Sequence, residues 1–225
     1  MSGVVAAKGS SPRGRHAPPP EVRLPIQRQR LLSAAATEFA QRGYANASSE
    51  SISRRAGMSK ATFYEHFSNK ADCIIALFDR ATEVVMQAQV RAVEEAGHGD
   101  AVQRMRAGTR ALLTAIKEHP EFAQTLLVEI IGAGPRVAHR RDQIMQAFAD
   151  ALDAENAAAA RHGLIARFAS PLDAYAIVGA ITELVSRQVR LAEPADVLEL
   201  APVIDRLILG VLAPVTASGP AANRE

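Results

Sequence analysis

Apolar residues recur at helical spacing along most of the chain. Leu32, Ala35, Ala36 and Phe39 share one face of a predicted first helix, Ile26 to Arg42, with Gly43 as its stop. A very short second helix is predicted from Ser49 to Ala56, N-capped by Ser48 or Ser49, with Ile52 and Ala56 facing inward. Gly57 and Met58 make a turn, and Ser59 caps a third short helix, Lys60 to His66. Phe63 and Phe67 lie four residues apart, so they share a face. Asn69 and Asp72 resemble a capping box that opens a long fourth helix to about Glu95, ended by Gly97-His98-Gly99. Further helices are predicted at about 100–118, 121–132, 136–161, 171–191 and 195–212. Pro120, Pro135, Pro171 and Pro194 stand at or near their starts, where a missing N–H costs little. The pattern predicts an all-α fold of about nine helices and no sheet.

Composition sharpens this picture. Alanine is abundant, aromatics are few and β-branched runs are short, which favours helix. No apolar run reaches the ~18 residues of a spanning helix, and the basic, proline-bearing N-terminus has no apolar core of a signal peptide. A cytoplasmic protein without membrane contact is the expectation. Residues 1–24, with Pro18, Pro19 and Pro20 in a row and basic Arg13, Arg15 and Arg23, are expected to be a disordered arm. Residues 214–225 are expected to be a disordered tail. Between them the reading places one domain at 25–80 and a second at 81–213.

Charge is distributed unevenly. Residues 1–75 hold 11 Lys and Arg against 5 Asp and Glu, whereas residues 76–225 hold 15 against 19. A basic head on a mildly acidic body suits a nucleic-acid-binding module attached to a domain with another task. Two short helices joined by a tight glycine turn are the geometry of a helix-turn-helix. Its second helix must be slim enough for a groove about 12 Å wide. Lys60, Ala61, Thr62, Tyr64 and Glu65 satisfy that, while Phe63 and Phe67 anchor the helix from behind.

These residues resemble the TetR family of bacterial helix-turn-helix regulators. The resemblance rests on Ile52-x-x-x-Ala56-Gly57, then Ser59, then Tyr64-x-His66-Phe67, then Lys70 opening the fourth helix. The preceding Ala35-Ala36-x-x-Phe39-Ala40-x-x-Gly43-Tyr44 also matches. It covers about residues 26–80. Ser53 departs from it, standing where the family usually has Ala. Physical roles and the resemblance agree on the DNA-binding candidates. Tyr64 offers a hydroxyl to phosphate, and Lys70 stands at a helix N-terminus that also favours an anion. Ser48 and Ser59 are caps with hydroxyls near the backbone, and Thr62 and His66 are further phosphate donors. Lys60 reaches either guanine O6/N7 or a phosphate, and Ala61 either meets a thymine methyl or permits close approach.

The resemblance also implies a homodimer on an inverted-repeat operator in double-stranded DNA, and a body enclosing a pocket for a small effector. Ile177, Val178, Ile181, Leu184, Val185, Leu198, Ile204, Leu207, Ile208 and Val211 form broad apolar faces, either for a four-helix interface with a second copy or for the domain's own core. Met86, Met105, Leu112, Leu113, Phe122, Leu126, Phe148 and Tyr175 are candidate pocket liners, though each reads first as plain core. Glu129 is either a buried polar anchor or solvent-facing. The implied function is a transcriptional regulator, a repressor released by an apolar or amphipathic ligand. The alternatives are an activator of the same fold and a helical protein-interaction module that binds no DNA.

Catalysis is not indicated. The six histidines (His16, His66, His98, His119, His139 and His162) include no i, i+4 pair beside a carboxylate, and no phosphate loop or nucleophile elbow occurs. Cys73, the single cysteine, excludes an internal disulfide or a cysteine-rich zinc site and is expected to be buried and inert. Neither cofactor nor metal is expected.

Overall fold

A computed structural model describes residues 19–97 and 100–212. Arg13, Arg15, His16, His98 and the tail 214–225 lie outside the described residues. Among those described there are nine α-helices, two short 3-10 helices and no strand. None of the helices is long and apolar enough to cross a membrane. The chain divides into two compact units, one ending at Asp79 and the other beginning at Arg80.

The first unit holds α1 (Pro20–Asn46), α2 (Ser49–Arg55), α3 (Lys60–His66) and the beginning of α4 (Lys70–Glu95). Here the expected arm is corrected: residues 20–24 are helical, and α1 begins at Pro20. Proline breaks a helix by lacking an N–H, but in the first turn that N–H has no partner to lose. The N–H groups of Val22 and Arg23 bond to Pro19 O, each at 3.0 Å. Gly43, with φ 76° and ψ 155°, breaks α1 at the expected stop, and the chain resumes helical bonding as far as Asn46. Leu31, Phe39, Ile52, Phe63, Ile74 and Leu77 are wholly buried and form the centre of the unit. Cys73 is buried there too, and burial pushes its thiol up to about 12.

The second unit contains α5 (Ala101–Glu118), α6 (Pro120–Leu127), α7 (Pro135–Arg161), α8 (Pro171–Leu191) and α9 (Ala201–Leu212). Asp100 caps α5 by accepting from Val102 N and Gln103 N, and Ser170 with Asp173 forms a reciprocal box at α8. Pro120, Pro135 and Pro171 each occupy a first turn. Two expected helices are each split. The 121–132 segment becomes α6 followed by a 3-10 turn, Glu129–Gly132. The 195–212 segment becomes a 3-10 turn, Val197–Leu200, capped by Asp196, and then α9. Helical spacing of apolar residues survives such a break, so periodicity alone does not reveal it. Helix α8 packs along α7 and α6, and α5 packs on α9. Leu113, Ile177, Val185, Ile204 and Ile208 are central to this core.

Candidate nucleic-acid interface

Helix α2 is fixed at both ends. Ser48 Oγ accepts from Ser51 N at 3.1 Å, and Ser51 Oγ accepts from Ser48 N at the same distance, a reciprocal capping box. At its C-terminal end Gly57 adopts φ 66°, and Met58 N donates to Ser53 O at 2.9 Å, which turns the chain. Arg30 of α1 donates to Ala56 O at 2.8 Å. A Cβ at position 57 would meet Arg30 Nη2 at 3.3 Å, so glycine suits this turn on two counts. Helix α3 then starts at Ser59, whose Oγ accepts from Thr62 N at 3.1 Å and lies 3.0 Å from Thr62 Oγ1.

A polar network ties α2 to α1. Glu38, only 3% exposed, accepts from Arg55 Nε at 2.6 Å, and Arg42 Nε lies 3.3 Å from its other oxygen. Arg55 also donates to Gln41 at 2.8 Å. Burial alone would raise the Glu38 pKa. Hydrogen bonds from Arg55 and Ser51 and the nearby guanidinium charges outweigh that and hold it below the usual value.

Helix α3 is two-sided. Phe63 and Phe67 are buried with ring centres 5.4 Å apart. Lys60, Ala61, Tyr64 and Glu65 are exposed. Tyr64 is 50% exposed, stands edge-on to Phe63, and has its hydroxyl 3.1 Å from Ser49 Oγ. Of the residues expected to meet DNA, Lys60, Ala61 and Tyr64 therefore gather on the open side of α3. Ser48 and Ser59 serve as caps beside them, and Thr62 is half-buried at its edge.

Two expected residues are placed differently. The His66 ring turns toward α1, with Nε2 3.4 Å from Gln27 Oε1. Burial and the Arg28 charge lower its pKa. Arg28 donates to His66 O at 3.3 Å and lies over the Phe67 ring at 4.7 Å, so this edge of α3 is packed rather than open. Lys70 turns back to the end of α1: its Nζ donates to Tyr44 O, Ala45 O and Ala47 O at 2.5, 3.3 and 2.9 Å. An ammonium has three N–H donors, so all are engaged, and burial lowers its pKa. As placed here, Lys70 is a tie within the head and has no donor left for phosphate.

Sequence reasoning missed Arg28, Arg30 and Glu38, which hold α2 and α3 in place. Their partners lie 17 to 38 residues away, beyond any local pattern. It also left Glu65 without a role. Helical spacing did carry the signal there, because Glu65 is opposite Phe63.

The nine residues expected at a ligand pocket lie on α4 to α8 and on the 3-10 turn after α6. Leu113 and Leu126 are buried, and Met105 and Tyr175 pack against the core of the second unit. Met86, Leu112, Phe122 and Phe148 are half-buried, and Glu129 accepts from Gln124 at 3.3 Å. A groove of about 370 Å³ between α4 and α5 is lined by Val84, Ala88, Arg91, Ala107, Arg110, His119 and their neighbours, and by none of the nine. An apolar residue at helical spacing reads the same whether it borders a void or fills it. Most of the expected dimer face takes its other reading, the core of its own unit, while Val211 stays exposed. Ile177, Val185, Ile204 and Ile208 are buried in their own unit, while Leu172, Leu191, Val203 and Val211 are the exposed apolar residues of α8 and α9. Among the described residues no group of His, Cys, Asp or Glu is placed to hold a metal.

Residues 31–77 match the family described as bacterial regulatory proteins, tetR family. The HTH-type transcriptional activator FasR of Mycolicibacterium smegmatis is 29% identical over 144 residues, 64% of this chain. The chain spans 63% of that relative's length. Among solved structures, the fatty acid degradation regulator FadR from Bacillus halodurans superposes with a TM-score of 0.72 at 19% identity, covering 82% of this chain and 95% of that one. FadR from Bacillus subtilis, solved in complex with stearoyl-CoA, gives 0.70 at 19%, covering 82% and 99%. At these identities the superpositions establish the fold, a two-unit all-helical architecture headed by a helix-turn-helix. The match to the tetR family of bacterial regulatory proteins is thus carried by residues 31–77, and beyond them the likeness is one of fold.

Proposed function

We propose that the chain is a transcriptional regulator that binds double-stranded DNA as a homodimer, with α3 entering the major groove. The observation that carries this is the division of α3, seven residues long, into a buried aromatic face and an open face of Lys60, Ala61, Tyr64 and Glu65. The Tyr64 and Ser49 hydroxyls, 3.1 Å apart, stand together where either can donate to a phosphate oxygen. Ser48 uses its oxygen as a capping acceptor, which leaves its O–H free to donate. Lys60 contacts a guanine edge or a phosphate, and Ala61 lets the backbone approach a base. Footprinting on the DNA flanking the chain's own gene tests this: two protected half-sites in inverted orientation are expected. Protection of one asymmetric half-site by a monomer would overturn it.

We further propose that the regulator is a repressor released by an apolar or amphipathic small molecule bound in the second unit. FadR of Bacillus subtilis, which shares the fold, holds a molecule of that class, stearoyl-CoA. Helix α4 belongs to both units, so a ligand that favours one state of the body can bias the head. The relative from Mycolicibacterium smegmatis is named an activator, which favours activation as the second reading. Deleting the gene and measuring the neighbouring promoter separates them: expression rises for a repressor and falls for an activator.

A further inference from the structure

Resting on the DNA-binding reading above, we propose that Glu65 is a specificity-determining residue that selects a cytosine in the major groove. An α-helix turns about 100° per residue, so a position two along from another lies about 200° round the axis. Phe63 and Phe67 mark the buried direction of α3. Ala61 and Glu65, each two residues from Phe63 and four from each other, therefore point directly away from the core. Tyr64 and Thr62 stand at the two flanks. When α3 lies in a groove, its flanks meet the walls and Ala61 and Glu65 meet the floor, where the base edges are. Ala61 has no atoms beyond Cβ, which leaves Glu65 as the longest side chain on that line.

Its chemistry defines the partner. Glu65 is exposed and makes no hydrogen bond or ion pair among the described residues; the adjacent His66 feels its charge, but no donor holds its carboxylate. An ionised carboxylate accepts hydrogen bonds and donates none. Against phosphates it is purely repulsive, and against guanine O6/N7 or thymine O4 it meets acceptors. The major-groove donors are cytosine N4–H₂ and adenine N6–H₂. Adenine carries acceptor N7 beside its amine, facing the second carboxylate oxygen, whereas cytosine presents its amine without such a neighbour on the same base. Cytosine is the fitting partner.

The test is selection of binding sequences from a randomised duplex pool by the full-length protein, by Glu65→Ala and by Glu65→Gln, followed by affinity measurements on single-base variants of the selected site. Far-UV circular dichroism and a melting curve establish that the exposed-site variants remain folded. The native chain should require C·G at one position in each half-site, with replacement weakening binding roughly 5- to 150-fold. Glu65→Ala should lose that requirement and keep the preferences elsewhere. Glu65→Gln, whose amide is both donor and acceptor, should tolerate adenine there. If the native and variant proteins select the same sequence, or Glu65→Ala merely tightens binding to every sequence alike, Glu65 does not read a base. Failure of the native chain to enrich any sequence would overturn the DNA-binding reading as well, an outcome distinct from the other two.

Discussion

Lys70 is bound to Tyr44 twice: its Nζ donates to the Tyr44 carbonyl at 2.5 Å and sits over the Tyr44 ring at 4.2 Å. The ammonium also takes the carbonyls of Ala45 and Ala47, so one side chain at the first position of α4 satisfies the orphan acceptors beyond the break in α1. Lys70→Met keeps the stem and removes the donors. It should destabilise the head by roughly 1–3 kcal/mol, the cost of unsatisfied carbonyls. Urea unfolding of the full chain measures this. Unchanged stability together with weaker DNA binding would return Lys70 to the role of phosphate contact.

The Tyr64 hydroxyl is exposed, and its hydrogen bond with Ser49 is at the surface. Tyr64→Phe should leave the melting temperature within about 1 °C of the native value, since changes at exposed positions are usually small. It should weaken binding to specific and unrelated duplexes by a similar factor, because phosphate contacts carry no sequence information. A selective loss at one base pair would contradict this.

Acid should loosen the junction of α1 and α2 through Glu38. Its folded pKa lies below the ordinary value of 4.5. The unfolded chain therefore takes up this proton at higher pH than the folded chain. The stabilisation is complete above about 4.5 and fades as pH falls through the folded pKa. Glu38→Gln should be less stable than the native chain at neutral pH and flatter in stability below that value. Arg55→Met should cost about 1–3 kcal/mol, because it takes the best donor from a buried carboxylate that keeps Arg42 and Ser51. Equilibrium unfolding across a pH series reads both effects.

Leu172, Leu191, Val203 and Val211 are exposed on α8 and α9, outside the buried core of the single chain. The double variant Val203→Asp, Val211→Asp should shift the protein from dimer to monomer while preserving its helical content. Light scattering after size exclusion, beside circular dichroism, measures the two together. A dimer that survives would place the interface elsewhere.

The head was legible because its local rules are strong. Ser59 with Phe63 and Phe67, and Gly57 after Ala56, each specify geometry within a few residues, and α3 falls where spacing and capping put it. Composition misled at Pro20, since a proline cluster suggests disorder until one notices that a first turn tolerates it. The polar ties were out of reach because Arg30 and Ala56, or Glu38 and Arg55, meet only after folding. In the body, Leu113 and Ile177 were legible as apolar helix positions, but no pattern distinguishes a core residue from a pocket wall or a partner-facing one.

The two sides of α3 also divide what natural variation can reach. Phe63 cannot change without disturbing the packing of the whole head, whereas Ala61 and Glu65 touch none of it. Duplicated copies of this gene are thus free to drift apart at those outward positions while their melting temperatures stay alike. On the DNA-binding reading proposed above, such lineages would come to prefer different sequences through a handful of codons, with the scaffold inherited intact.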